Sequence, residues 1–74
     1  MKSLEQYESV ALTVDLPEEN LWCGQVGVIV EVYQNGEAFE VEFVDKDGFT
    51  YGLLTLRPAQ FMLLRYQSAE KLAA

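Results

Sequence analysis

Gly24-Gln25-Val26-Gly27-Val28-Ile29-Val30-Glu31-Val32-Tyr33, followed at once by Gln34-Asn35-Gly36-Glu37, is the run from which the architecture can be read. In an extended chain Val26, Val28, Val30 and Val32 fall on one face and Gly27, Ile29, Glu31 and Tyr33 on the other, the period of a strand. The density of β-branched side chains strengthens the reading, because Val and Ile fit a pleated surface better than a helix. Asn35-Gly36 then lies between two alternating runs. Both residues tolerate positive φ, which a tight hairpin turn requires, so the strand must turn back there.

Downstream, residues 38–44 place Phe39, Val41 and Phe43 inward and Glu40 and Glu42 outward, the pattern of an antiparallel strand with one wet face. Asp45-Lys46-Asp47-Gly48 makes the next turn, and residues 49–55 form a fourth strand. Pro58 interrupts extended structure and predicts a short helical turn before a last strand over residues 61–66. Upstream, Val10, Leu12 and Val14 alternate with Ser9, Ala11 and Thr13 as a first strand. Asp15-Leu16-Pro17-Glu18-Glu19-Asn20 breaks that pattern into a long first loop. Residues 68–74 favour helix behind Ser68 as a cap but are too few to hold one alone, so a short flexible tail is expected.

This order predicts an all-β fold, a small five-stranded SH3-like barrel with a long first loop and one Pro-bearing turn before the last strand. The competing architecture is an open meander that dimerises through an edge strand, because closure leaves no trace in periodicity. One domain over residues 1–74 is expected, with a core of 8–66 and a tail of 67–74.

A chain of 74 residues buries only roughly 60% of the surface its unfolded form exposes, which leaves little depth for a walled active site. Half of the residues are hydrophobic, so a packed core is within reach. The net charge of -7, from 12 acidic and 5 basic residues, opposes binding to phosphate backbones. Lys2, Lys46, Arg57, Arg65 and Lys71 are scattered and form no basic run. A basic protein partner suits such a surface, although acidity is also an ordinary route to solubility. The single cysteine, Cys23, forbids an intrachain disulfide and fits a reducing cytoplasm. No apolar leader and no membrane-length apolar run is present, so neither export nor membrane insertion is expected.

The chemistry of sites narrows matters by exclusion. Without histidine, Ser-His and Cys-His nucleophile pairs are ruled out. Cys23 has no neighbouring cation in sequence and reads as a buried or half-buried structural thiol. Asp45-Lys46-Asp47-Gly48 fails as a calcium loop, because aligning Gly48 with the EF-hand glycine puts Phe43 and Leu54 at ligand positions. A solvated hairpin turn explains the same residues. Glu40 and Glu42 lie roughly 7 Å apart on one strand face, yet nothing supplies the distinct environments a catalytic carboxylate pair needs. Gly24-Gln25-Val26-Gly27 leads into a strand, so it is no phosphate-cradling loop. Its glycines read as the start of a strand or a bulge where a side chain would collide with a neighbour. No catalytic residue, cofactor or metal site is expected. Trp22, Tyr33, Phe49, Tyr51, Phe61 and Tyr66 are too many for so small a core, and Trp22, in the loop, is the leading surface anchor.

Val10-Ala11-Leu12, Asp15-Leu16-Pro17-Glu18, Leu21, Gly24-Gln25-Val26-Gly27, Ile29-Val30-Glu31, Phe39-Glu40-Val41-Glu42-Phe43, Asp45, Asp47-Gly48, Thr50 and Leu54-Thr55-Leu56 together resemble the bacterial domain-of-unknown-function family numbered 4926. The resemblance reaches about as far as Leu64 and implies an SH3-like fold without an assigned activity. Some members are described beside a toxin-like partner, which implies an antitoxin or immunity role by association. Trp22-Cys23 departs from the pattern, where polar or basic residues are expected, so a partner surface there would differ. The glycine-punctuated strand is also similar to KOW modules, which bind RNA or protein, and the charge opposes RNA.

The leading expectation is a non-enzymatic interaction module whose acids Glu18, Glu19, Glu40 and Glu42 meet a basic protein, with Trp22 as apolar anchor. Asp15, Glu18 and Glu19 also suit the Arg of a proline-rich ligand, but the loop lacks a paired-tyrosine signature and packing of Trp22 is favoured over peptide binding. The alternatives are an accessory subunit of a larger enzyme or redox assembly, like the SH3-like subunits of nitrile hydratases and photosynthetic complexes, and a KOW-like RNA binder. Homodimerisation is compatible with all three.

Overall fold

The computed structural model describes residues 6–65, and within them the protein is all-β. Five antiparallel strands, β1 Ser9–Leu12, β2 Val26–Tyr33, β3 Ala38–Val44, β4 Thr50–Leu56 and β5 Phe61–Leu63, form one sheet in the order β4-β3-β2-β1-β5. Single 3-10 turns sit at Pro17–Glu19, Gln34–Gly36 and Pro58–Gln60. The expected tail and the cap at Ser68 lie outside the described residues, as does Tyr66, but the last strand expected over residues 61–66 is shorter and ends at Leu63, with Leu64 and Arg65 outside any strand.

The turns follow the chemistry read from the sequence. Pro58 opens its turn, where a fixed φ helps and the missing N–H costs nothing, and the Gln60 Oε1 accepts from the Arg57 N–H at 2.7 Å. The hairpin after β2 takes left-handed backbone at Gln34, Asn35 and Gly36, one residue more than Asn-Gly alone would supply. At the next turn the Asp45 Oδ1 accepts from the Asp47 N–H at 2.8 Å and the Phe49 N–H at 3.0 Å, and Gly48 takes φ +88. The carboxylate is therefore engaged by its own turn.

One reading of faces is corrected. The four valines of β2 do not share a face: Gly27 and Ile29 are buried, Val26 is exposed, and Val32 packs on the core. The cause is a β-bulge, since Ile29 pairs with Val41 and Glu31 with Glu40, leaving Val30 unmatched. One inserted residue inverts every side chain beyond it. A second irregularity lies between the pairs Phe43 with Gly52 and Val44 with Thr50, so that Tyr51 is the extra residue of β4.

The sheet curls over its own core. Phe39 on β3 and Phe61 on β5 meet edge to face with ring centroids 5.3 Å apart, whereas three strand spacings in a flat sheet would separate their strands by about 14 Å. Val10, Leu12, Leu21, Ile29, Phe39, Val41, Phe43, Leu56 and Phe61 form one buried cluster on the concave side, with Leu16, Val32 and Leu54 against it. β4 and β5 are the two edges of the hydrogen-bonded order.

Candidate interaction surface

The long first loop is closed by backbone pairing. Leu16 and Leu21 exchange hydrogen bonds at 2.8 and 3.2 Å, Pro17–Glu19 turns between them, and left-handed Asn20 returns its N–H to the Pro17 carbonyl. The Asp15 Oδ1 accepts the Cys23 N–H at 2.8 Å and holds the far side. Leu21 is thereby driven into the core, and the residues after it face outward: Trp22 is 48% exposed and Cys23 carries an exposed free thiol. The expectation of a buried or half-buried Cys23 is corrected, because Leu21 occupies the inward position and Cys23 and Gly24 turn outside it.

Gln25 ties this loop to β4. Its Oε1 accepts the Trp22 N–H at 2.5 Å, its own N–H donates to the Trp22 carbonyl at 3.1 Å, and its Nε2 donates to the Tyr51 hydroxyl at 3.2 Å. The Tyr51 ring in turn lies 6.3 Å from that of buried Phe43. Trp22 and Tyr51 thus lie beside the Phe43 end of the core, each about half exposed, and Phe49, two residues before Tyr51, is 71% exposed. Such amphipathic aromatics are the side chains interfaces favour.

Glu18 and Glu19 stand exposed on the turn of the same loop. Glu40 and Glu42 occupy the convex face of β3, opposite the inward Phe39, Val41 and Phe43. Glu40 lies between Glu31 of β2 and Thr55 of β4, and Glu42 between Val28 and Leu53. The Thr55 hydroxyl donates to Glu40 Oε1 and the Thr50 hydroxyl to Glu42 Oε2, both at 2.6 Å. Among the described residues no hydrogen bond joins this carboxylate face to Glu18, Glu19 or Trp22. What the two groups share is β4, which carries Tyr51 near one end and supplies both threonines.

Glu31 belongs with Glu40 and was not singled out from sequence. Straight alternation assigns it to the face of Gly27 and Ile29, and only the unmatched Val30 turns it outward. Gln25 carried no sequence signal either, since its role depends on β4 lying alongside the loop.

No group of three or more His, Cys, Asp or Glu side chains able to hold a metal ion occurs among the described residues, and none of their helices is long and apolar enough to cross a membrane. A family model, Domain of unknown function (DUF4926), matches residues 6–63, from the approach to β1 to the end of β5. The chain belongs to this family. No curated protein and no solved structure matches it. Family membership covers the whole curled sheet of this DUF4926 protein, including the loop of Trp22, and carries no assigned activity.

Proposed function

We propose that this DUF4926 protein is a non-enzymatic interaction module that binds a basic protein partner, with Trp22 as apolar anchor and Glu18, Glu19, Glu40 and Glu42 as the electrostatic surface. The observation that carries the reading is Trp22, half exposed with its backbone tied to Gln25, whose side chain also reaches the half-exposed Tyr51, on a loop that also bears Glu18 and Glu19. A loop whose backbone is already tied down loses little entropy on contact, and a net charge of -7 attracts a cationic surface from a distance. An antitoxin-like or immunity-like role is the case in which that partner is toxin-like, and a reducing cytoplasm suits the exposed thiol of Cys23.

Affinity capture from the native lysate at low and high salt, with wild type and Trp22→Ala in parallel, tests the reading. A stoichiometric basic protein released by salt and lost with Trp22→Ala is expected. The reading fails if no stoichiometric partner appears at either salt concentration.

A second reading, an accessory subunit of a larger enzyme or redox assembly, draws on a different observation. Val26 and Met62 are both about half exposed and flank Ala11 across three adjacent strands, an apolar row that an assembly would cover. Obligate co-purification with one assembly, insensitive to salt, is its mark.

A further inference from the structure

We infer that the partner is held by strand addition: an extended basic segment pairs along the open edge of β4, and alternate Lys or Arg side chains reach over Leu53 and Thr55 toward Glu42 and Glu40. This rests on the proposed basic partner and specifies how it is gripped.

The edge itself is the first ground. Among the described residues β4 pairs only with β3, and Thr50-Tyr51-Gly52-Leu53-Leu54-Thr55-Leu56 contains no charge and no proline. An edge strand presents unpaired backbone N–H and C=O groups, and proteins ordinarily protect such a row with charges, proline or a bulge. Here the bulge at Tyr51 lies near one end and leaves residues 52–56 in regular register with β3. The opposite edge, β5, has only three residues.

Charge selects the occupant. A strand added to β4 lies two spacings, about 10 Å, from β3. Lys or Arg stems crossing from the added strand can meet the carboxylates over Leu53 and Thr55, burying their methylenes on the way. Among the described residues each carboxylate spends one oxygen on a threonine of β4 and keeps the other for such a cation. Glu40 also lies directly opposite Glu31, a like-charge pairing that a cation relieves. A second copy of this chain is the poorer occupant, because its own β4 brings no cation to Glu40 or Glu42 and its net charge adds repulsion. Tyr51, joined through Gln25 to Trp22, then receives one end of the added segment.

A peptide of alternating Lys and Val, about as long as β4, titrated into the full chain at low salt tests this, read by Trp22 fluorescence and by amide exchange. Slowed exchange at residues 50–56 is expected, with affinity falling as salt rises. Two further peptides, N-methylated at alternate residues in opposite phase, keep the charge but delete different N–H groups. One phase loses affinity by at least about tenfold and the other does not, because only alternate N–H groups face the edge. Leu53→Lys and Thr55→Lys, at outward positions that leave the core intact, lower affinity similarly. Equal binding of both methylated peptides, or indifference to both variants, overturns strand addition while leaving a basic partner standing. If no Lys-rich peptide binds at low salt, both readings fall. A dimer in sedimentation that Leu53→Lys dissociates assigns the edge to a second copy and overturns the inference.

Discussion

At Gly27 a Cβ would lie 2.7 Å from Val41 Cγ1, 2.9 Å from the Glu42 carbonyl oxygen and 3.1 Å from Phe43 Cδ1. Backbone cannot retreat within a sheet as a side-chain tip can, so the strands must part. Gly27→Ala is expected to destabilise by roughly 1–3 kcal/mol, seen as a lower denaturation midpoint. Gly52 is the control, because its Cβ would meet Phe43 at an ordinary 3.6 Å and its φ is not left-handed. Gly52→Ala should therefore be neutral or stabilising by about 0.4–1 kcal/mol. The sequence reading of a side-chain collision is met at Gly27. Gly24 has open space around it and φ +95, so conformation and not crowding is what favours glycine there.

Among the elements, the two hairpins and the bulge decide the register. Asp45 accepts two backbone N–H bonds across its turn, so Asp45→Ala should cost about 1–2 kcal/mol, measured by thermal or urea unfolding. In the hairpin after β2, Gln34 holds φ 52 without being Gly or Asn. Left-handed backbone costs such a residue about 1–2 kcal/mol, while glycine loses about 0.5–1 kcal/mol in chain entropy. Gln34→Gly is thus expected to stabilise by a few tenths of a kcal/mol. Deleting Val30 keeps Ile29 and Val32 inward and Glu31 outward, since it removes only the unmatched residue. The variant should fold with its pairing intact but with weaker curl, and an exchange-broadened Phe61 ring would report the loosened contact with Phe39.

For the whole molecule, charge and curvature act together. With Glu31 opposite Glu40 and a net charge of -7, self-repulsion opposes the compact state. Raising salt from about 0.01 M to about 1 M shortens the screening length from roughly 30 Å to roughly 3 Å, so the unfolding midpoint should rise with salt. Over the same range, binding of a basic partner should weaken, and the opposite signs separate stability from recognition. The all-β class, the strand order along the chain and the turns at Asn35-Gly36, at Asp45 to Gly48 and at Pro58 were legible without coordinates. They depend on alternation and on the φ preferences of residues next to one another. Glu40 and Glu42 on a wet face were legible for the same reason, and Trp22 as a surface anchor was read from its place in the loop and the surplus of aromatics for so small a core. The unmatched Val30, the move of Glu31 beside Glu40, the exposure of Cys23, the bridge from Gln25 to Tyr51 and the open edge at β4 were not. The exposure of Cys23 follows from the pairing of Leu16 with Leu21 that turns Leu21 inward, the others depend on how separate strands meet, and a period of two residues says which faces a strand has but not where an inserted residue exchanges them.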